Sequence, residues 1–198
     1  MGFPTGPETD KFPIIKARWF KDIVNQKREV RVIVIHSMEA PEKGTTAENV
    51  AKFFQNLPPN RKASAHLCID NNSIVQCVLD NDVAFAAPGA NHNGIQLELA
   101  GFARQTRAEW LDEYGKALLE NAANAAAQYC LKYKIPRKHL TNQELRDGQE
   151  GIIGHVQASK VFGLSDHTDP GKEFPWDYFI ERVEHYYTER KEKLARST

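Results

Sequence analysis

Cysteine is scarce in this chain of 198 residues, with three in all, Cys68, Cys77 and Cys130. A low, odd count excludes a small secreted scaffold held by several disulfides and points to reduced thiols. Cys68 and Cys77 fall on the two arms of an expected hairpin that turns at Asp70-Asn71-Asn72-Ser73. As a diagonal pair they suit a bridge poorly, so both read as small buried hydrophobes. Net charge is missing as well, since 26 Lys and Arg balance 26 Asp and Glu. That balance offers nothing to nucleic acid or to an acidic membrane surface. No apolar stretch reaches the ~18 residues of a membrane span, so no membrane insertion is expected. The stretch Met1 to Asp10 has no basic patch leading into an apolar core, and Gly6 stands where myristoylation favours Ser or Thr. The expectation is a monomer made in the cytoplasm without a signal peptide.

What is present suits one soluble α/β domain, with 41% hydrophobic and 26% charged residues. Residues 1–28 carry four prolines or glycines in the first seven positions and read as an irregular segment packed on the domain. Residues 29–36 read as a strand rich in β-branched side chains, ended by His36. Thr45 with Glu48 three residues on predicts a capping box. The helix it opens has Val50, Phe53, Phe54 and Leu57 as its apolar face, and Pro58-Pro59 stop it. Residues 64–69 and 74–79 are the hairpin strands. Ile95, Leu97 and Leu99 then alternate with Gln96 and Glu98 along a further strand. A carboxylate in the middle of such a strand needs a reason.

Helical spacing runs from 107 to 133 through Trp110, Tyr114, Leu118, Ala122, Ala125 and Tyr129. Thr141 and Glu144 cap a short helix that Gly148 ends. Residues 151–155 form a strand-like entry to His155, a brief helix reaches Gly163, and a last helix starts near Pro175. Residues 189–198 read as a charged tail that frays into solvent. Strands interleaved with helices predict one domain over 29–188, built on a central mixed β-sheet flanked by helices.

His36, His155 and Asp169 stand out as a candidate zinc set. Two imidazoles and one carboxylate leave a fourth tetrahedral position open, which is the pattern of a catalytic rather than a structural site. Both histidines end apolar strand-like runs, where a rigid sheet aims side chains into a cleft at its edge. Asp169 precedes Pro170, which biases it to an extended backbone. A plain Asp-Pro-Gly turn competes with that reading, as a hydrogen-bonded core histidine does for each imidazole. His92, His139 and His185 take that ordinary reading.

Several runs occur in a telling order: Val-Ile-Val-Ile-His-Ser-Met-Glu at 32–39, Ala-Ser-Ala-His at 63–66, Asn-Gly-Ile-Gln-Leu-Glu-Leu-Ala-Gly at 93–101, Ile-Gly-His at 153–155 and His-Thr-Asp-Pro-Gly-Lys-Glu-Phe-Pro-Trp at 167–176. Over residues 29–185 the chain resembles the zinc-dependent N-acetylmuramoyl-L-alanine amidases, and the stretches 38–48 and 101–106 look most like phage endolysin domains. The superfamily also includes muropeptide-recycling amidases and peptidoglycan recognition proteins. The resemblance implies one zinc ion on His36, His155 and Asp169, with Glu98 as the acid/base residue. Some relatives use a tyrosine just before the histidine that matches His66; Ala65 stands there, which leaves Glu98.

Many relatives carry a lysine two residues before the third ligand, where this chain has His167. His167 is expected to stabilise the oxyanion with a different pH dependence; its replacing Asp169 as ligand is the alternative. His66 resembles a family position near the cleft and is expected either to support the site from behind or to face substrate; a structural hydrogen bond is the alternative. Phe85, Asn91 and Asn93 lie in a loop that borders the cleft and are candidates for contact with sugar or peptide. The implied reaction is hydrolysis of the amide between N-acetylmuramic acid and L-alanine in peptidoglycan, on the bacterial wall after release. The rivals are a cytosolic amidase acting on soluble muropeptides and a peptidoglycan-binding module without activity.

Overall fold

The β-branched run ahead of His36 forms an interior strand because it is apolar on both sides. In the computed structural model, which describes residues 12–197, Val32–Ser37 (β1) is buried at every position. It pairs in parallel with Gly94–Leu99 (β4) on one side and Gly151–Gly154 (β5) on the other. Leu67–Ile69 (β2) joins β4 in parallel, and Ile74–Gln76 (β3) closes the hairpin antiparallel to β2. The mixed five-stranded sheet has the order β3-β2-β4-β1-β5. Parallel strands buried on both faces are the expected setting for such continuous apolar runs.

One face of the sheet presents Ile33, Ile35, Ile95, Leu97 and Leu99 to the helices Glu113–Tyr133 (α3) and Trp176–Ser197 (α6), which contribute Leu118, Leu119, Ala122, Phe179 and Val183. The opposite face carries Val32, Val34 and Ile153 against Leu140, Leu145 and Ala158, from the region of helices Asn142–Arg146 (α4) and His155–Phe162 (α5). Beside it, Cys68 and Val75 pack on Ala47, Ala51 and Phe54 of Thr46–Asn56 (α1). His36 and Glu98 lie on this second face, at the carboxyl ends of β1 and β4.

Residues 12–28 are irregular and packed on the domain: Phe12 and Ala17 are buried, and Ile15 N donates to Gln76 O at 3.0 Å. Arg28 is buried too, reaching the carbonyls of Gly94 at 2.9 Å and His92 at 3.1 Å. The expected absence of a leader concerns residues 1–10, which lie outside the described residues. Among the described residues, no helix is long and apolar enough to cross a membrane. The three cysteines are free and buried, with the Cys68 and Cys77 sulfurs 3.7 Å apart as a diagonal pair.

Several local expectations need correction. The first strand starts at Val32, not at 29, and continues one residue past His36. The capping box at Thr45 and Glu48 does not form, since the Thr45 side chain makes no cap bond. The buried Asp70 of the hairpin turn supplies the acceptor instead, with its Oδ2 taking Ala47 N at 3.0 Å. Phe53 is 43% exposed, because it faces the cleft rather than the core. The helix expected over 107–133 is two, Arg107–Trp110 (α2) and α3, because Asp112 accepts from Gly115 N at 2.8 Å and starts a new one. His155 is the first residue of α5 rather than the end of a strand. Finally, α6 continues through the stretch expected to fray, and Arg190 holds Asn124 Oδ1 at 2.7 Å.

Candidate metal centre and active-site cleft

Three elements deliver the expected ligand set to one point. His36 comes from the penultimate position of β1, His155 from the first position of α5, and Asp169 from the loop before α6. The loop is tied down where it matters, since Val156 N donates to Asp169 O at 2.9 Å. Gly171 holds the same loop against its neighbour: with φ at +101°, a Cβ there would sit 1.9 Å from Ala103 O.

The Asp169 carboxylate is shared between the two imidazoles. His36 Nδ1 lies 3.1 Å from Oδ2, and His155 Nδ1 lies 3.2 Å from Oδ1. All three side chains are buried, and their donor atoms lie within 4.8 Å of one another. The two rings meet edge to face at 4.7 Å. Burial works to raise the Asp169 pKa, but the hydrogen bonds from His155 and His36 outweigh it and hold the carboxyl well below its usual range. Burial alone would lower His36, yet Asp169 and Glu98 push it up to about 9. His155 is lowered, first by burial. In chemical terms, the carboxylate demands a cation between these rings, and a proton or a metal ion can answer.

The far nitrogens of both rings are also engaged. His36 Nε2 is 2.9 Å from Gln96 Oε1. His155 Nε2 is 3.4 Å from Ser165 Oγ, which pairs with Ser159 Oγ at 2.7 Å. Imidazoles that bind metals ordinarily donate their other N–H to such acceptors. The donor set therefore fits a divalent ion such as zinc.

Glu98 lies beside this set, at the wall of a cleft of about 950 Å³. Burial, helped by Asp169 and Glu39 and opposed by His36, pushes its pKa up to about 7. Its Oε2 is buried without a hydrogen-bond partner. A buried carboxylate oxygen left unpartnered beside a cleft is costly unless function uses it. His167 is 57% exposed, stacks on His155 at 4.1 Å and places Nδ1 3.3 Å from Asp169 Oδ1. Phe85 and Asn91 line the cleft, and Asn91 Oδ1 also organises its loop by accepting from Ala86 N and Ala87 N.

Two expected cleft residues are placed elsewhere. His66 is fully buried behind the site: its Nδ1 accepts from Gln96 N at 2.9 Å and its Nε2 faces Asp82 O at 3.1 Å. This placement takes it away from direct contact with substrate. Asn93 is not among the residues lining the cleft; its carbonyl accepts from Arg31 N and Val32 N at the start of β1. The sequence reading missed Gln96, Ser165, Glu39, Arg61 and Lys62. Gln96 had a visible signal, because strand alternation puts it on the same face as Glu98.

A mixed α/β sheet with a two-histidine, one-carboxylate cluster at the carboxyl ends of its parallel strands defines a candidate metallohydrolase. The family described as N-acetylmuramoyl-L-alanine amidase matches residues 26–172, and the chain belongs to it. No protein of curated function matches the sequence significantly. Among solved structures, the Staphylococcus aureus hydrolase AmiA, determined with its ligand, is similar at 17% identity and a TM-score of 0.67, covering 98% of this chain and 88% of that one. A selenomethionine derivative of AmpD is similar at 16% identity and a TM-score of 0.60, covering 92% and 99%. The amidase LysC of Clostridium intestinale follows at 15% identity and 0.53, covering 89% and 99%. At these identities the likeness establishes the shared fold.

Proposed function

We propose that the chain is a zinc-dependent enzyme that hydrolyses the amide between the lactyl group of N-acetylmuramic acid and L-alanine in peptidoglycan. The observation that carries the reading is the convergence of His36, His155 and Asp169 on one point of a cleft wall that also holds the unpartnered Glu98 carboxylate. When bound, zinc supplies a Lewis acid for the scissile carbonyl and acidifies a water ligand. Glu98 takes a proton from the attacking water as the new C–O bond forms. It passes that proton to the alanine nitrogen as the C–N bond breaks, leaving a lactyl carboxylic acid, which loses its own proton to solvent, and a free amine. His167 donates a hydrogen bond to the carbonyl oxygen as negative charge develops there. Phe85 and Asn91 border the cleft where sugar or peptide lies. Cell-wall lysis of the endolysin kind is the biological setting favoured by the runs Met-Glu-Ala-Pro-Glu-Lys-Gly-Thr-Thr-Ala-Glu at 38–48 and Gly-Phe-Ala-Arg-Gln-Thr at 101–106.

Mass spectrometry of wall fragments after digestion tests the reaction. New fragments with free N-terminal L-alanine, abolished by a chelator and restored by zinc, are the expected result. Cleavage elsewhere, or activity indifferent to the chelator, would overturn it. Parallel assays on intact walls and on small soluble muropeptides separate wall lysis from recycling. The absence of cleavage on both, with substrate still bound, would favour a binding module.

A further inference from the structure

The hydrogen bonds around Gln96 fix more than a strand position. Its Nε2 donates to the Ala90 carbonyl at 3.0 Å, and a carbonyl can only accept, so the amide orientation is settled. Gln96 Oε1 must then face His36 Nε2, at 2.9 Å, and accept its proton. His36 is left with Nδ1 as the atom turned towards Asp169. Gln96 and Ala90 can meet because the strand starts with a glycine. A Cβ at Gly94 would lie 2.3 Å from Ala90 O and 2.7 Å from Gln96 Nε2. The Gln96 backbone is held independently, by His66 on one side and β1 on the other.

We propose that Gln96 is a positioning residue that keeps the His36 proton on Nε2, makes Nδ1 the metal-binding atom, and ties that choice to the cleft wall through Ala90. The inference rests on the metal reading given above. Ala90 belongs to the turn that Asn91 organises with Ala86 and Ala87, and Ala86, Pro88 and Asn91 line the cleft. One amide thus connects the substrate wall to the orientation of a metal ligand. A neutral amide accepts the imidazole proton without adding another negative charge beside Asp169 and Glu98. A leucine at this position fills similar space, yet neither accepts from His36 nor donates to Ala90.

The test is zinc affinity of the metal-free protein, measured by competition with a chromogenic chelator, for wild type, Gln96→Leu and Gln96→Glu. Loss of such an outer hydrogen bond weakens metal binding by roughly 10–100-fold, which is the expectation for Gln96→Leu. Gln96→Glu keeps the acceptor for His36 but loses the donor to Ala90, and is expected to lose less zinc affinity than Gln96→Leu. Proton–nitrogen correlation spectra of the zinc-loaded wild type provide a second readout, independent of any variant folding. They are expected to show a slowly exchanging proton on His36 Nε2. Unchanged affinity in Gln96→Leu, or His36 bound to zinc through Nε2, overturns this inference and leaves the proposed reaction standing. A wild type that takes up no zinc overturns both.

Discussion

His36 and Glu98 are register partners across the parallel β1–β4 pair, so both side chains leave the same face of the sheet at the same height. The proposed metal ligand and the acid/base candidate are therefore set by one ladder of backbone hydrogen bonds rather than by two loops. A site placed this way is held by rigid elements.

Glu98→Gln separates chemistry from metal binding. Zinc content is expected to be retained, while turnover falls by ~10²–10⁴-fold, the usual loss for a general acid–base group. Stability should move the other way. The folded carboxyl keeps its proton up to about 7, whereas an ordinary glutamate releases it near 4.5. The metal-free native state thus binds more protons in that window and loses stability as pH rises through it. Glu98 is partly exposed to the cleft, so the gain expected for metal-free Glu98→Gln at pH 8 is about 1–3 kcal/mol, vanishing near pH 4. Urea unfolding at the two pH values checks the sign.

Asp169→Ala and His36→Ala are each expected to abolish zinc retention, because either change leaves two donors from the cluster of three. Elemental analysis after gel filtration reads this directly. A variant that keeps stoichiometric zinc would show that another residue, with His167 the nearest candidate by its contact to Asp169, takes the vacated place.

His167→Lys examines the oxyanion role. Lysine keeps its charge to higher pH than histidine does, so the two proteins should differ on the alkaline limb of kcat/KM. Superimposable limbs would remove charge from the account of His167 and leave it a neutral donor.

His66 should give the fold an acid-labile element. Its Nδ1 accepts from a backbone N–H, so a second ring proton has no place to go. Burial first, and then Arg28, push its pKa down to about 3. Below the ordinary histidine value of 6.5 the unfolded chain takes up a proton that the native state refuses. Stability is therefore complete above about pH 6.5 and falls towards pH 3, by at most ~1.4 kcal/mol per pH unit from this group. His66→Asn keeps an acceptor and a donor without a titrating ring, and is expected to flatten that slope. Equal slopes in the two proteins would clear His66 of the effect.

Much of the site was legible because its signals are local: apolar runs that stop at His36 and His155, a carboxylate at Glu98 in a strand of period two, and an Asp-Pro-Gly loop. The sheet followed from the same runs. What was not legible depends on partners distant in sequence. Whether His66 faces the cleft or lies behind it depends on Gln96, Arg28 and Asp82, which enclose it. The break between α2 and α3 was hidden because apolar spacing continues across Asp112, whose capping carboxylate is the only local sign.

The start of α1 tests how far local sequence can mislead. Thr45 and Glu48 have the spacing of a capping box, yet the Thr45 side chain makes no cap bond. Asp70, wholly buried in the hairpin turn, accepts from Ala47 N at 3.0 Å through Oδ2. Its Oδ1 accepts from Asn72 N at 3.0 Å and Ser73 N at 2.8 Å. One carboxylate therefore closes the turn and caps a helix whose residues Val50 and Phe53 form a wall of the cleft. Thr45→Ala is expected to change stability by less than about 0.5 kcal/mol. Asp70→Ala strips three N–H groups of their acceptor, of which the Ala47 N–H is buried, and is expected to cost about 1–3 kcal/mol. Chemical denaturation of the two variants decides the matter: a larger loss at position 45 than at 70 would mean that the helix is capped from its own sequence after all.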